Sequence, residues 1–350
     1  MTVAFPGQTL VDVHEGHRFD VAALERYLAP RIPGFAAPVE VRQFLGGQSN
    51  PTYHVAAGGH EYVLRRKPPG PLLPSAHAVD REYRVLTALG ATDVPVPRTY
   101  LLCEDASVVG TPFFVMDYVR GRIFADPVMP DLEATERTAI YDAMNDVLAR
   151  LHRVDWKAVG LADFGRPGNY FARQIHRWST QYRASETERI ESMEALMRWL
   201  PEHIPADDDT TVVHGDYRPG NMIVHPTEPR IVAVLDWELS TLGHPLADLA
   251  YNCVPYHTGP GDNLGGVEGT DLPRLGIPTE EAYVAAYCRR TGRAGIADWS
   301  FYVAFALFRL GAIAQGIMGR VIAGTANDPQ AAERGKRARP LADAAWAVVR

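Results

Sequence analysis

The sequence predicts an α+β fold of two lobes, a small antiparallel β-sheet lobe with one helix followed by a larger, mostly α-helical lobe. Three observations predict it. From Val39 to Lys67 apolar and polar residues alternate with a period of two around turn signals, the mark of antiparallel strands. Beyond Pro130 the apolar period becomes that of helices. Between Val212 and Asp236 the helical pattern is interrupted by short strands that carry acids at their ends. The expected division is residues 1–118 for the first lobe and 119–350 for the second.

In the first lobe, Phe19 to Leu28 has helical spacing, with Asp20 placed to cap it and Pro30 and Pro33 to stop it. Val39 to Gly47, Asn50 to Ala56 and His60 to Lys67 read as three antiparallel strands, the last two joined by a Gly58-Gly59 turn. The proline cluster after Lys67 breaks the third strand. Ala76 to Leu89 then reads as a helix with Val79, Tyr83, Leu86 and Leu89 on one stripe. Thr99 to Glu104 and Pro112 to Tyr118 complete the sheet, and a hinge is expected near Met116 to Gly121.

In the second lobe, helices are expected over Asp131 to His152, Ala172 to Tyr182 and Glu186 to Leu200, another opening at His244, and more from Thr279 to Arg350. The Gly-rich segment Pro255 to Pro278 reads as a long loop over an acceptor site.

A chain of 350 residues, 46% hydrophobic and 22% charged, can build two substantial cores. Its net charge of −7 argues against a general nucleic-acid binder and for small-molecule partners. Three widely spaced cysteines, with no CxxC, suggest neither a disulfide framework nor a zinc site. The first twenty residues lack the basic start and apolar run of a secretory signal, so a cytoplasmic location is expected. Trp299 to Ala323 is apolar enough to raise the question of a membrane, but Arg309, Gln315 and Arg320 make it a buried helix instead. Oligomeric state is not readable.

The stretch Val212 to Asp236 carries the chemistry. His214-Gly215-Asp216 follows a short strand, Pro219-Gly220 turns the chain, and Asn221 stands five positions after Asp216. Met222 to His225 and Ile231 to Leu235 read as a hairpin that delivers Asp236. Phosphoryl transfer needs one carboxylate to take the proton of the attacking hydroxyl, and an amide oxygen and second carboxylate to hold Mg²⁺ against phosphates. Asp216, Asn221 and Asp236 can fill those roles in order.

These residues resemble the aminoglycoside phosphotransferase family of the protein-kinase-like fold. His214 to Asn221 follows its HGDxxxxN catalytic loop, and Leu235-Asp236-Trp237-Glu238 its metal-binding segment. The resemblance runs from about Val39 onward and implies ATP and Mg²⁺ as cofactors and a hydroxyl of a small molecule as acceptor. It implies that Gly46-Gly47-Gln48-Ser49-Asn50 cradles the ATP phosphates, where the residues alone also allow a plain hairpin turn. Val63 and Arg65 share a strand face, able to roof an adenine and reach phosphates. Arg65 stands where the fold normally has lysine, with Lys67 the other cation on that face, and Glu82 is its expected helix partner. Met116 and Tyr118 fall at the hinge that would meet the adenine. Arg218 stands where protein kinases have a lysine that contacts the transferred phosphate. His214 and Asp248 are read as structural support of the loop.

The segment around Val63 to Leu86 is more similar to the kinase-like domain that begins some acyl-CoA dehydrogenase fusion proteins than to antibiotic-resistance enzymes, which makes a hydroxyacyl compound the expected acceptor. The alternatives are an aminoglycoside kinase, a pseudokinase interaction module, and a metal hydrolase using His214, Asp216 and Asp236.

Overall fold

The computed structural model describes residues 2–45, 50–70, 78–260, 265–326 and 329–350. The chain forms two compact units that interleave along the sequence. One comprises Met1–Ala125, Lys157–Leu161 and Pro219–Ser240, the other Asp126–Trp156, Ala162–Arg218 and Thr241–Arg350.

The first unit is built on a seven-stranded antiparallel sheet of β1 (Thr2–Phe5), β2 (Gln8–Val11), β3 (Val39–Phe44), β4 (Thr52–Ala57), β5 (His60–Arg66), β6 (Thr99–Cys103) and β7 (Phe113–Asp117). Its strand order is β1-β2-β3-β4-β5-β7-β6. Alternation along the strands divides the two faces. Tyr53 and Val55 of β4, Tyr62 and Leu64 of β5 and Phe113 and Val115 of β7 join Leu24 and Leu28 of helix α1 (Val21–Leu28) in one apolar cluster. Asp20 caps α1 by accepting from Ala23 N at 3.0 Å. Helix α2 (Val79–Leu89) packs on β6 and β7. A short α3 (Ala106–Val109) precedes β7.

The first two strands were not expected from the sequence. Four residues each, joined at Gly7, they are too short for their alternation to stand out. Gly7 has φ of 78°, and a Cβ there would meet the Ile123 carbonyl oxygen at 2.5 Å, so only glycine allows the approach. A separate hairpin of Met222–Val224 and Ile231–Val234 belongs to the same unit and is antiparallel, as its sequence suggested.

The second unit is helical: α4 (Ala134–His152), α5 (Tyr170–Ala184), α6 (Glu191–Glu202), α7 (Pro245–Cys253), α8 (Leu272–Leu275), α9 (Glu280–Thr291), α10 (Trp299–Ile322), α11 (Ala331–Gly335) and α12 (Ala338–Val348). α10 is the one helix among the described residues long and apolar enough to cross a membrane by composition, yet 72% of its most apolar window is buried inside the protein. It packs on α5, α6, α7, α11 and α12 and forms the centre of this unit. The strand Thr211–Val213 pairs with Thr241–Gly243, a partner that three residues of sequence do not announce.

Candidate active site

A cavity of the first unit gathers most of the residues singled out in its sequence. Val63 and Arg65 of β5, Glu82 of α2, Met116 of β7, Tyr118, Asn221 and Asp236 all line it. Strand period explains β5: Tyr62 and Leu64 go into the apolar cluster, so Val63 and Arg65 face the other way. The hairpin brings Asn221 and Asp236 close, because Leu235 N donates to Asn221 O at 2.8 Å. Gly46, Gly47, Gln48 and Ser49 lie outside the described residues. Asn50, at the end of that loop, is buried and donates through Nδ2 to Glu238 Oε2 at 3.3 Å.

Arg65 holds this site together electrostatically. Its Nε lies 2.7 Å from Glu82 Oε2, and its Nη2 lies 2.5 Å from Asp236 Oδ1 and 3.7 Å from Glu238 Oε2. A planar guanidinium spreads its charge over three nitrogens, and here Nη2 hydrogen-bonds Asp236 while Nε lies at ion-pair distance from Glu82. Burial opposes the charge on Arg65, but Glu82, Asp236 and Glu238 outweigh it and hold the guanidinium above its ordinary value. Burial, followed by the opposing pull of Arg65 and the repulsion of Asp236 and Glu238, leaves the Glu82 carboxyl raised to about 7. Glu82 also accepts from Trp237 N at 3.3 Å, tying α2 to the segment after Asp236. Lys67 points elsewhere, its Nζ 3.9 Å from Asp80.

Asp236 occupies the left-handed region, with φ 66° and ψ 61°. Such a backbone is uncommon outside glycine, and aspartate tolerates it better than most. The turn ends the strand and starts the short helical turn Trp237–Leu239. Asp236 ends as a partly exposed carboxylate, 34% accessible, beside a guanidinium that is 11% accessible. Three carboxylates around one guanidinium leave an excess of negative charge.

No group of three or more His, Cys, Asp or Glu side chains among the described residues is arranged to hold a metal. Mg²⁺ does not demand one, since it keeps several waters and is bound by one or two protein oxygens plus phosphate. The oxygen donors Asn221 and Asp236, and the excess negative charge beside them, fit a hydrated divalent cation.

The loop His214 to Arg218 belongs to the second unit and is pinned there from several sides. Buried Asp248, on α7, accepts from His214 N at 2.6 Å and from Gly215 N at 2.8 Å. Burial works to raise the Asp248 carboxyl, but His152, His214 and the Gly215 N–H outweigh it and hold it below the ordinary carboxylate range. Gly215 has φ of 84°, a conformation that favours glycine. Its carbonyl accepts from Arg309 Nη2 at 2.6 Å. The imidazole of His214 is fully buried and accepts the Asp216 N–H through Nδ1 at 3.1 Å, which makes it part of the loop's framework. Asp216 presents Oδ2 to Arg218 Nε at 3.3 Å and Oδ1 to the hydroxyl of Tyr251 at 2.5 Å.

Four contributors escaped the sequence reading. Arg309 was visible only as a charge inside an apolar helix, and Glu238 only as part of a motif. Nothing local marked Tyr251 on α7. Gln8 lines the cavity of the first unit and donates from Nε2 to Gly121 O at 2.9 Å and Val119 O at 3.3 Å. A buried amide in an otherwise unremarkable four-residue strand carries no sequence signal.

Comparisons with known proteins agree with this architecture. A model of the phosphotransferase enzyme family matches residues 40–301. A crystal structure from Ralstonia eutropha, named for the aminoglycoside phosphotransferases, is 52% identical with a TM-score of 0.87, covering 95% of this chain and 98% of that one. A thermostable mutant of the aminoglycoside phosphotransferase APH(4)-Ia, in a ternary complex with ADP and hygromycin B, is 16% identical with a TM-score of 0.61, covering 93% of this chain and 98% of its own, and shares the fold. Among curated proteins, acyl-CoA dehydrogenase family member 10 of Mus musculus is 48% identical over 93% of this chain and 30% of its own length. Member 11 of Gallus gallus is 44% identical over 95% of this chain and 44% of its own. The chain thus spans less than half the length of these curated relatives. With a family match over three quarters of its length and a relative of 52% identity matched nearly end to end, the chain belongs to the phosphotransferase enzyme family and has its two-lobed kinase-like fold.

Proposed function

We propose that this protein transfers the γ-phosphoryl group of ATP to a hydroxyl of a small molecule, with Mg²⁺ as cofactor. The observation that carries the reading is the cavity of the first unit, where Arg65, Glu82, Asn221 and Asp236 stand beside the apolar surfaces of Val63 and Met116. An apolar slot lined also by one guanidinium and several oxygen donors suits a purine bearing a metal-bound polyphosphate. The crystallised ternary complexes of APH(4)-Ia, with ADP or AMP-PNP, support a nucleotide there. In this reading Val63 and the Met116 to Tyr118 segment receive the base, and Arg65 and the Gly46 to Asn50 loop position the phosphates. Glu82 orients Arg65. Asn221 and Asp236 hold Mg²⁺, which supplies neutralisation of phosphate charge when bound.

Asp216 takes the proton of the acceptor hydroxyl as the new O–P bond forms, the bond from the γ-phosphorus to the β–γ bridging oxygen breaks, and ADP leaves. General-base action of this kind is worth roughly 10² to 10⁴ in rate. Arg218, 3.3 Å from Asp216, offers positive charge to the transferring group. Asp248 and His214 keep the loop in shape.

The acceptor we favour is a hydroxyacyl compound. The relatives named acyl-CoA dehydrogenase family members 10 and 11 point to acyl chemistry. Asp216 is paired with Arg218, and Arg309 binds the adjacent Gly215 carbonyl, positive charge that suits a neutral or anionic acceptor better than a polycationic aminoglycoside. A second reading, a nucleotide-binding module without transfer, draws on the close pairing of Arg65 with Asp236, which competes with metal for that carboxylate.

The test is transfer of labelled phosphate from ATP to a panel of hydroxyacyl compounds and aminoglycosides, with wild-type protein and the Asp216→Asn variant. Transfer to a hydroxyacyl compound that falls at least 100-fold in the variant, with ATP binding retained, is expected. Full turnover by the variant removes Asp216 from the mechanism, and transfer to aminoglycosides alone removes the acyl assignment. ATP binding with no transfer to any acceptor supports the module.

A further inference from the structure

We propose that Tyr251 is a positioning residue for the phosphoryl-transfer step, holding the carboxylate of Asp216 through its phenolic O–H. The proposal rests on the reading of Asp216 as the base, and the experiment below separates the failure of one from the failure of the other.

The geometry begins with helix α7. Asp248 and Tyr251 are three positions apart and share one side of that helix. Asp248 binds the backbone of His214 and Gly215. Tyr251 gives its hydroxyl to Asp216 Oδ1 at 2.5 Å, and Asn252 Nδ2 donates to Tyr217 O at 3.2 Å. Every residue from 214 to 217 is therefore touched by the short stretch of α7 from Asp248 to Asn252. Asp248 and Asn252 hold backbone, whereas Tyr251 holds the side chain of Asp216 at Oδ1, the other oxygen accepting from Arg218 Nε at 3.3 Å.

The ring is held as firmly as its hydroxyl. The guanidinium of Arg309 lies 5.5 Å from the centre of the Tyr251 ring and 5.5 Å from that of Trp178. Its Nη2 meanwhile binds Gly215 O at 2.6 Å, so α10 secures both the loop and the tyrosine that faces it.

A phenol has one hydrogen to donate, and this one stays on its oxygen. Burial pushes the Tyr251 hydroxyl far above its usual range, and the Asp216 charge and hydrogen bond push the same way, against Arg309 and Arg218. Tyr251 thus serves as a hydrogen-bond donor to Asp216. It donates to a carboxylate, the stronger class of hydrogen bond, and restricts rotation of the group that must face the acceptor hydroxyl.

Tyr251→Phe removes only the hydroxyl and leaves the ring beneath Arg309. The full chain is assayed with γ-³²P-labelled ATP and Mg²⁺, water serving as acceptor, in wild type, Tyr251→Phe, Asp216→Asn and the double variant. The expected result for Tyr251→Phe is a fall in kcat of about 10- to 100-fold with KM for ATP within about twofold of wild type. In the Asp216→Asn background the same substitution changes kcat by less than about twofold, because the carboxylate it acts through is gone. Wild-type kcat in Tyr251→Phe overturns the proposal while leaving Asp216 as the base if kcat of Asp216→Asn falls about 100-fold or more. An equal fall in both backgrounds overturns it too, since Tyr251 then acts elsewhere. Wild-type turnover by Asp216→Asn overturns the base reading, and the proposal with it.

Discussion

Arg65 Nη2 lies 2.5 Å from Asp236 Oδ1 while its Nε lies 2.7 Å from Glu82 Oε2, so one side chain of a central strand joins helix α2 to the end of the 222–234 hairpin. Arginine at this position is therefore not a passive exchange for lysine. An ammonium is a single compact charge and cannot divide a planar fork between carboxylates that approach from different sides. Arg65→Lys should weaken binding of a fluorescent ADP analogue by about 5- to 20-fold, and Arg65→Met by more, because Glu82 is then left buried without its cation. Equal affinity in wild type and Arg65→Lys would mean the fork is not used.

Lys67 provides the contrast. It shares the β5 face with Arg65 in the alternation of the sequence, but its ammonium pairs with Asp80 at 3.9 Å across a half-exposed surface. Pairs of that kind contribute little. Lys67→Ala should leave affinity for the same ADP analogue within about twofold. A tenfold loss would assign Lys67 to the phosphates after all.

Gln8 reaches the cavity from β2, and its amide is the partner of the Gly121 carbonyl at 2.9 Å. Gln8→Leu keeps the volume but leaves buried carbonyls short of a donor, at a cost of about 1–3 kcal/mol. The segment from Val119 to Gly121 follows β7, which lines the cavity through Met116 and Asp117, so the damage should show as a several-fold rise in KM for ATP with kcat little changed. An unaltered KM would detach the N-terminal hairpin from nucleotide binding.

Asp248 sets a pH dependence. Its carboxyl is held below the ordinary carboxylate range in the folded state, mainly by His152, His214 and the Gly215 N–H working against burial. The folded state therefore binds the proton less readily than the unfolded chain. The stabilisation is present at neutral pH and is lost as pH falls through the ordinary carboxylate range toward the lower folded value. Asp248→Asn should be less stable than wild type at pH 7 by about 3–5 kcal/mol, as when one partner of a buried charge pair is removed. The gap in thermal midpoint should narrow steadily between about pH 5 and pH 3. A gap that stays constant with pH would show that packing, not charge, is the loss.

The legible part of the molecule was that in which neighbouring residues suffice. Alternation in β3, β4 and β5 marked the sheet, Asp20 marked the start of α1, and the spacing of Asp216, Asn221 and Asp236 marked the loop and hairpin. Helix starts were less exact: the expected helices at Asp131 and Glu186 begin at Ala134 and Glu191, because polar residues before a helix resemble those in its first turn. The Gly-rich stretch from Pro255 is more ordered than its composition suggests. It folds back on itself, with Val267 N donating to Pro255 O at 2.8 Å and Glu268 N to Thr258 O at 3.0 Å, while residues 261–264 lie outside the described set.

By itself, the order of residues determined which strands alternate, which segments coil and which acids stand at strand ends, since each of these depends on contacts a few positions apart. Glu82 is buried against Arg65 as the family resemblance implied, but tertiary structure alone decided that Lys67 turns to Asp80, and that Tyr251 and Arg309, 35 and 94 residues from their loop partners, close on Asp216 and Gly215. The reason is physical. A buried charge or hydroxyl is placed by whatever partner satisfies it in the packed interior, and that partner can come from any point along the chain.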